Sequence, residues 1–170
     1  VDAERVAAAN RSLRRPPPSI REVVPTSRSS AQRWRYVTAA PDAGWASPGY
    51  DDSQWRSGAG GFGTEGTPGG TIRTEWNTSD IWIRRTFTID SVPDAGELCL
   101  NIHHDEDAEV YINGTLALSF TGYTTSYTSV PLNADAVKLL KAGENMIAIH
   151  CRQTTGGQYI DVGLEKIIPN

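Results

Sequence analysis

The dipeptide Asn113-Gly114 constrains this chain more than any other feature. It sits between Glu109-Val110-Tyr111-Ile112 and Thr115-Leu116-Ala117-Leu118. Asn-Gly supplies the two positive-φ positions of a type I′ turn, whose twist matches that of paired strands. The segment therefore reads as a β-hairpin.

A period of two recurs along the chain. Residues 33–39 (RWRYVTA) alternate, and Ile81 to Ile89 (IWIRRTFTI) is rich in β-branched and aromatic residues. In that run Ile81, Ile83, Arg85, Phe87 and Ile89 share the face expected to meet the core, which leaves Arg85 needing a carboxylate or an edge position. Trp82, Arg84, Thr86 and Thr88 share the other face. Glu97 to His103 sets Leu98, Leu100 and Ile102 against Cys99, Asn101 and His103; Asn145–Arg152 and Tyr159–Ile168 give two more strands. One helical turn is expected over Asp135–Leu140, ended by Gly143. Short strands separated by Gly/Pro/Asp clusters, with no long helix between them, favour an antiparallel β-sandwich over a barrel. Residues 57–71 (SGAGGFGTEGTPGGT) read as one long glycine-rich loop, of a length that lines a site or packs under other elements. A hydrophobic content of 38% suffices for a core, and no apolar run approaches the ~20 residues of a membrane helix.

The first 32 residues have a different character. Residues 1–15 contain good helix formers, with Val6 and Leu13 seven apart, enough for a short helix. Pro16-Pro17-Pro18 stops it and imposes an extended stretch. Residues 19–30 read as a linker, so 1–32 form an N-terminal strap and 33–170 the sandwich. Residues 1–35 carry eight Arg against Asp2, Glu4 and Glu22, a net of +5, while the other 135 residues carry a net of −9. An acidic body argues against nucleic acid as a partner, because phosphate binding relies on clustered Lys and Arg. The basic head reads as a domain-joining strap in preference to a nucleic-acid arm. The chain opens on Val1 with neither an initiator Met nor a signal peptide, and is expected to be a processed product or an excised piece of a longer protein.

Six motifs stand in a distinctive order: Trp45; Tyr50-Asp51-Asp52-Ser53-Gln54-Trp55; Gly61-Phe62-Gly63; Trp82 to Phe87 (WIRRTF); His104 to Gly114 (HDEDAEVYING); and Gly143 to Ala148 (GENMIA). Together they resemble the galactose-binding-like jelly-roll domain, in the version found as the sugar-binding domain of family 2 glycoside hydrolases and related multidomain enzymes. The resemblance covers roughly residues 33–168. It implies a jelly-roll β-sandwich beside a catalytic barrel, bracing it or completing a substrate subsite. The chain itself is then a non-catalytic, carbohydrate-binding-like accessory module of a glycoside hydrolase, exported to the periplasm or secreted. The partners so implied are the parent's catalytic domain and a carbohydrate, with no membrane span. The alternative is a structural or interaction sandwich, without sugar affinity, inside an enzyme of another type. Such sandwiches often carry a structural calcium, whose ligands the sequence does not identify; no other cofactor is expected.

Each chemical candidate has a plainer reading beside it. His103-His104-Asp105-Glu106-Asp107 is the densest polar cluster, but adjacent strand residues point to opposite faces, so His103 and His104 are poorly placed to chelate one ion. Asp105 and Asp107 share a face and suit turn and backbone hydrogen bonds. No catalytic residue and no metal ligand is assigned. Asp51/Asp52 and Asp105/Asp107 lack the deep cleft that paired carboxylates of a glycosidase need. GAGGFGTEG lacks the Lys-Ser/Thr of a phosphate loop. Alternation puts Cys99 with Asn101 but Cys151 with Ile147 and Ile149, which disfavours a disulfide between them. Asn10, Asn77 and Asn113 open glycosylation sequons that read as chance matches.

Sugars are held by aromatic faces flanked by planar polar groups. The candidates, expected on loops, are Trp76, Tyr123, Tyr127 and Tyr159, with Arg73, Arg152 and Gln158 as hydrogen-bonding neighbours. Gly156-Gly157, just before Gln158, lets backbone approach closely.

Overall fold

A computed structural model describes residues 3–6 and 17–168. The strands are β1 (Ser19–Val24), β2 (Arg33–Val37), β3 (Arg56–Ala59), β4 (Phe62–Gly63), β5 (Thr74–Glu75) and β6 (Asp80–Ile89). They continue with β7 (Leu98–Asp105), β8 (Asp107–Ile112), β9 (Thr115–Phe120), β10 (Thr128–Pro131), β11 (Gly143–Arg152) and β12 (Tyr159–Ile168); one short helix, α1 (Ala134–Lys138), precedes β11. One sheet runs β10-β7-β12-β4-β5, with β1 also on β12, and the other runs β3-β2-β6-β11-β8-β9. All pairings are antiparallel except β4 with β5. The fold is an all-β sandwich, as the alternation predicts.

The hairpin closes at Asn113 (φ 49°) and Gly114 (φ 90°), with Ile112 opposite Thr115. The Asn113 amide donates to the Leu139 carbonyl at 2.8 Å and to Asn145 Oδ1 at 2.9 Å, and its oxygen accepts the Met146 N–H at 2.9 Å. The turn residue thus ties the hairpin to β11 and α1, and its side chain is fully engaged. Asn133 caps α1 by accepting the Ala136 N–H at 2.9 Å.

The core lies between the sheets. Leu98, Leu100, Ile102, Ile160, Val162 and Leu164 face Ile81, Ile83, Val110, Ile112, Ile147 and Ile149, all buried in one cluster. Each such side chain contributes about 1.5–3 kcal/mol of transfer free energy. Cys151 belongs to this cluster, whereas Cys99 is buried elsewhere, and both are free thiols.

Two segments differ from the sequence reading. Part of the stretch read as a linker, Ser19–Val24, is a strand, with Ser19 opposite Ile168 and a bulge between Glu22 and Val24. Its alternation is weak because Val24 alone is fully buried and its neighbour Val23 is partly so. The expected short helix over 1–15 is helical at residues 3–6; its remaining positions lie outside the described residues. The glycine-rich 57–71 is not one loop but contains the end of β3 and all of β4, because Phe62 is fully buried and anchors the backbone beside β12.

The two arginines of β6 take opposite sides. Arg84, only 1% exposed, donates to the carbonyls of Trp45 (2.6 Å) and Ser47 (3.1 Å) and pairs with Asp52 at 2.9 Å. Tyr50 and Trp55 lie over its guanidinium, and Trp45 stacks on Trp55. The 38–55 segment is therefore a lid on the outer face of the second sheet, pinned by one buried cation. Arg85 points inward over the Trp34 ring. Burial pulls its pKa down and the nearby Asp161 carboxylate pushes it back up. The carboxylate whose charge it feels is Asp161, without a direct ion pair between them.

Candidate functional site

Four connections meet at one end of the sandwich around a cavity of about 300 Å³. Pro68 comes from the β4–β5 connection, Asp105 and Glu106 from the β7–β8 junction, Tyr123 to Thr125 from the β9–β10 loop, and Thr155 to Gly157 from the β11–β12 loop.

Local hydrogen bonds fix each loop. Asp107 accepts the Gly122 N–H at 2.7 Å, and Thr124 donates its N–H to the His104 carbonyl at 2.8 Å. Between these staples Tyr123 stands out, 67% exposed, at the rim of the cavity. The Thr67 hydroxyl donates to the Thr64 carbonyl at 2.9 Å and accepts the Gln158 N–H at 3.1 Å, joining the glycine-rich segment to the start of β12. Gly69 (φ 71°) is required twice over, since a Cβ there would also collide with the Thr125 carbonyl. A Cβ on Gly157 would lie 3.0 Å from Asp105 Oδ2 and 3.1 Å from Thr67 Oγ1. The close backbone approach expected of Gly156-Gly157 is thus realised at Gly157. Burial, then the Glu106 charge, raises the Asp105 pKa, while the nearby His104 opposes this. The cavity is lined by one exposed tyrosine, the buried Asp105, its acidic neighbour Glu106, three threonines, Pro68 and two glycines, and most of its exposed lining is apolar.

The sequence-derived candidates scatter. Tyr123 lines the cavity. Trp76 follows β5 directly and is buried, its indole donating to Thr78 Oγ1 at 3.0 Å and the Asp80 carbonyl at 3.1 Å. Tyr159 begins β12 and is fully buried. Tyr159 departs from the loop placement expected of it, and Trp76, though on the β5–β6 loop, is drawn into the interior, because flanking strand pairs pull both rings inward. Tyr127 is half-buried and donates to Asp161 Oδ2 at 2.5 Å, with its oxygen 3.1 Å from that of Tyr159. Burial, then the Asp161 charge, drives the Tyr127 pKa strongly upward, and burial raises that of Tyr159. Asp161 is pushed up to about 6 by burial, against the bonds from Tyr127 and Ser27. Gln158 is buried and donates to the Thr78 carbonyl at 2.9 Å. Arg73 is exposed at the surface, with its Nε on the Ser27 carbonyl at 2.8 Å. Arg152 lies apart, with Asp107, Glu109 and His150.

His103 and His104 point to opposite faces: His103 packs on Tyr127 and Tyr159, His104 on Phe120. Among the described residues no three His, Cys, Asp or Glu side chains could hold one metal ion. Sequence reasoning missed a cluster on the outer face of the second sheet, where His150 stacks on Trp82 and lies 2.8 Å from Asp80. The signal was present, since Trp82 and His150 each sit on the outward phase of their strands.

Comparison with solved structures bears on the fold. A glycosyl hydrolase family 2 member from Bacteroides cellulosilyticus DSM 14838 matches with a TM-score of 0.56 and 19% identity, over 80% of this chain and 20% of that one. Bacteroides uniformis β-glucuronidase 2 matches with a TM-score of 0.57 and 19% identity, over 90% and 18%. A β-glucuronidase from an uncultured Clostridium sp. matches with a TM-score of 0.53 and 11% identity, over 91% and 30%. At these identities the likeness is one of fold. The chain spans 18–30% of the length of these three enzymes. No protein-family model and no curated protein sequence matches the chain.

Proposed function

We propose that this chain is a non-catalytic accessory module of a larger glycoside hydrolase, acting outside the cytoplasm, and that it holds a neutral sugar against the face of Tyr123. The observation that carries this reading is the exposed Tyr123 ring at the rim of a cavity lined by Asp105, Glu106 and three threonines. The fold shared with a segment of family 2 enzymes supports the accessory role. The catalytic domain of the parent is the protein partner in this reading, and the acidic body makes nucleic acid a poor one.

Burial of Trp76 and Tyr159 favours a second reading, a bracing module with no sugar affinity, since their rings are already committed to the domain's own packing. Calorimetric titration with neutral mono- and oligosaccharides separates the two. In the first reading a sugar binds and Tyr123→Ala weakens it about tenfold or more, the loss of a ring's contact surface. If no sugar binds, or Tyr123→Ala leaves binding intact, the first reading fails.

A further inference from the structure

Away from that cavity, four arginines gather in a chain whose last 135 residues are strongly acidic. A groove of about 200 Å³ along β2, β3 and β6 is lined by Arg33, Arg35, Arg84 and Arg85, with the hydroxyl residues Ser57 and Thr86. Arg35 stands directly across from Arg84 in the ladder. Like charges opposed in this way destabilise a sheet unless a counter-charge intervenes. The one carboxylate at hand, Asp52, sits 2.9 Å from Arg84 Nε but 3.9 Å from Arg35 Nε. Arg84 is spent on Asp52 and two carbonyls, and Arg85 is turned inward over Trp34. The available heads are Arg33 and Arg35, both on the exposed face. Among the described residues Arg33 meets the Ser57 hydroxyl at 3.4 Å, and Arg35 meets the Trp55 carbonyl at 3.2 Å besides its loose pairing with Asp52.

We infer that this groove is an oxyanion site that takes a sulfate or carboxylate group carried by an acidic glycan. Guanidinium forks present paired N–H donors that match two oxygens of such a group, and a nearby hydroxyl supplies another donor. The net positive charge of the groove is the inverse of the body around it, so it also selects by sign. The inference rests on the carbohydrate reading above for the identity of the carrier, but uses none of the residues of the Tyr123 cavity.

The test is calorimetry at low and at moderate salt with a sulfated oligosaccharide, a uronate-bearing one and the neutral counterpart of each. The expected result is about tenfold tighter binding of an acidic sugar than of its neutral counterpart, as two charge-assisted contacts at a solvated site would give, shrinking as salt rises. The sulfated and uronate arms identify which group is taken. In Arg33→Ala/Arg35→Ala the preference disappears while affinity for the neutral sugar is unchanged; Arg21→Ala, on β1, keeps the preference. Equal affinity for acidic and neutral sugars overturns the inference, as does a preference that survives the double substitution. Loss of neutral-sugar binding in Tyr123→Ala leaves the acidic preference measurable, so the two readings fail separately.

Discussion

Two aromatic-rich loop regions flank this sandwich, and they end in opposite states. The 38–55 segment brings Trp45, Tyr50 and Trp55 together over Arg84, which meets two carbonyls and Asp52 beneath them. The loops around Tyr123 are stapled as firmly at their bases, through Asp107, Thr124 and Thr67, yet leave their ring in solvent. The difference is a central cation. Where a buried guanidinium offers donors and a flat face, the aromatics close on it; beside Tyr123 the cavity is lined by acidic residues, threonines and glycines and, among the described residues, holds no such cation. An aromatic loop is thus a lid or an open rim according to the side chain under it.

Arg84→Met attacks that contrast most directly. It leaves Asp52 and two carbonyls without their donor, and should cost about 3–5 kcal/mol in urea denaturation. If the loss is under about 1 kcal/mol, the lid is held by its aromatics and the cation is incidental. The open side has its own weak point in Asp161, under Tyr127. Its folded pKa of about 6 lies above an unfolded value near 3.9, so the folded state binds the extra proton. Its contribution to stability is complete below about pH 4 and is lost as pH rises through about 6, amounting to roughly 2–3 kcal/mol by linkage. Denaturation midpoints across pH 4–7 should show this slope, and Asp161→Asn should flatten it. Gly69→Ala, with its positive φ and the Thr125 carbonyl in the way, should cost about 1–3 kcal/mol by thermal unfolding. Tyr123→Ala should change stability by less than about 0.5 kcal/mol, since its ring supports nothing. A larger loss would make that rim a second lid.

The sheets were legible because one face of each long strand is buried and sequence alternation reports that directly. The Asn113-Gly114 hairpin and the Asn133-capped helix rest on local chemistry, which sequence also carries. The β1 strand was not legible, because an edge strand with one buried residue has almost no period. The site was readable only in part. Gly157 and Tyr123 sit where turn chemistry put them, but Trp76 and Tyr159 follow pairings between distant segments, and no local pattern foretells which side of a strand end meets solvent. Arg84 shows the same limit: its outward phase was correct, but the lid that buries it lies some forty residues earlier.

The pairing of Ser19 with Ile168 sets how this body answers mechanical load. The start of β1 and the end of β12 lie at one corner, on neighbouring antiparallel strands. Tension applied through them acts on a single rung of the β1–β12 ladder at a time, peeling the first strand away like a zipper instead of shearing many bonds at once. The sandwich should therefore yield its outermost strand at low force while the layers behind it stay shut.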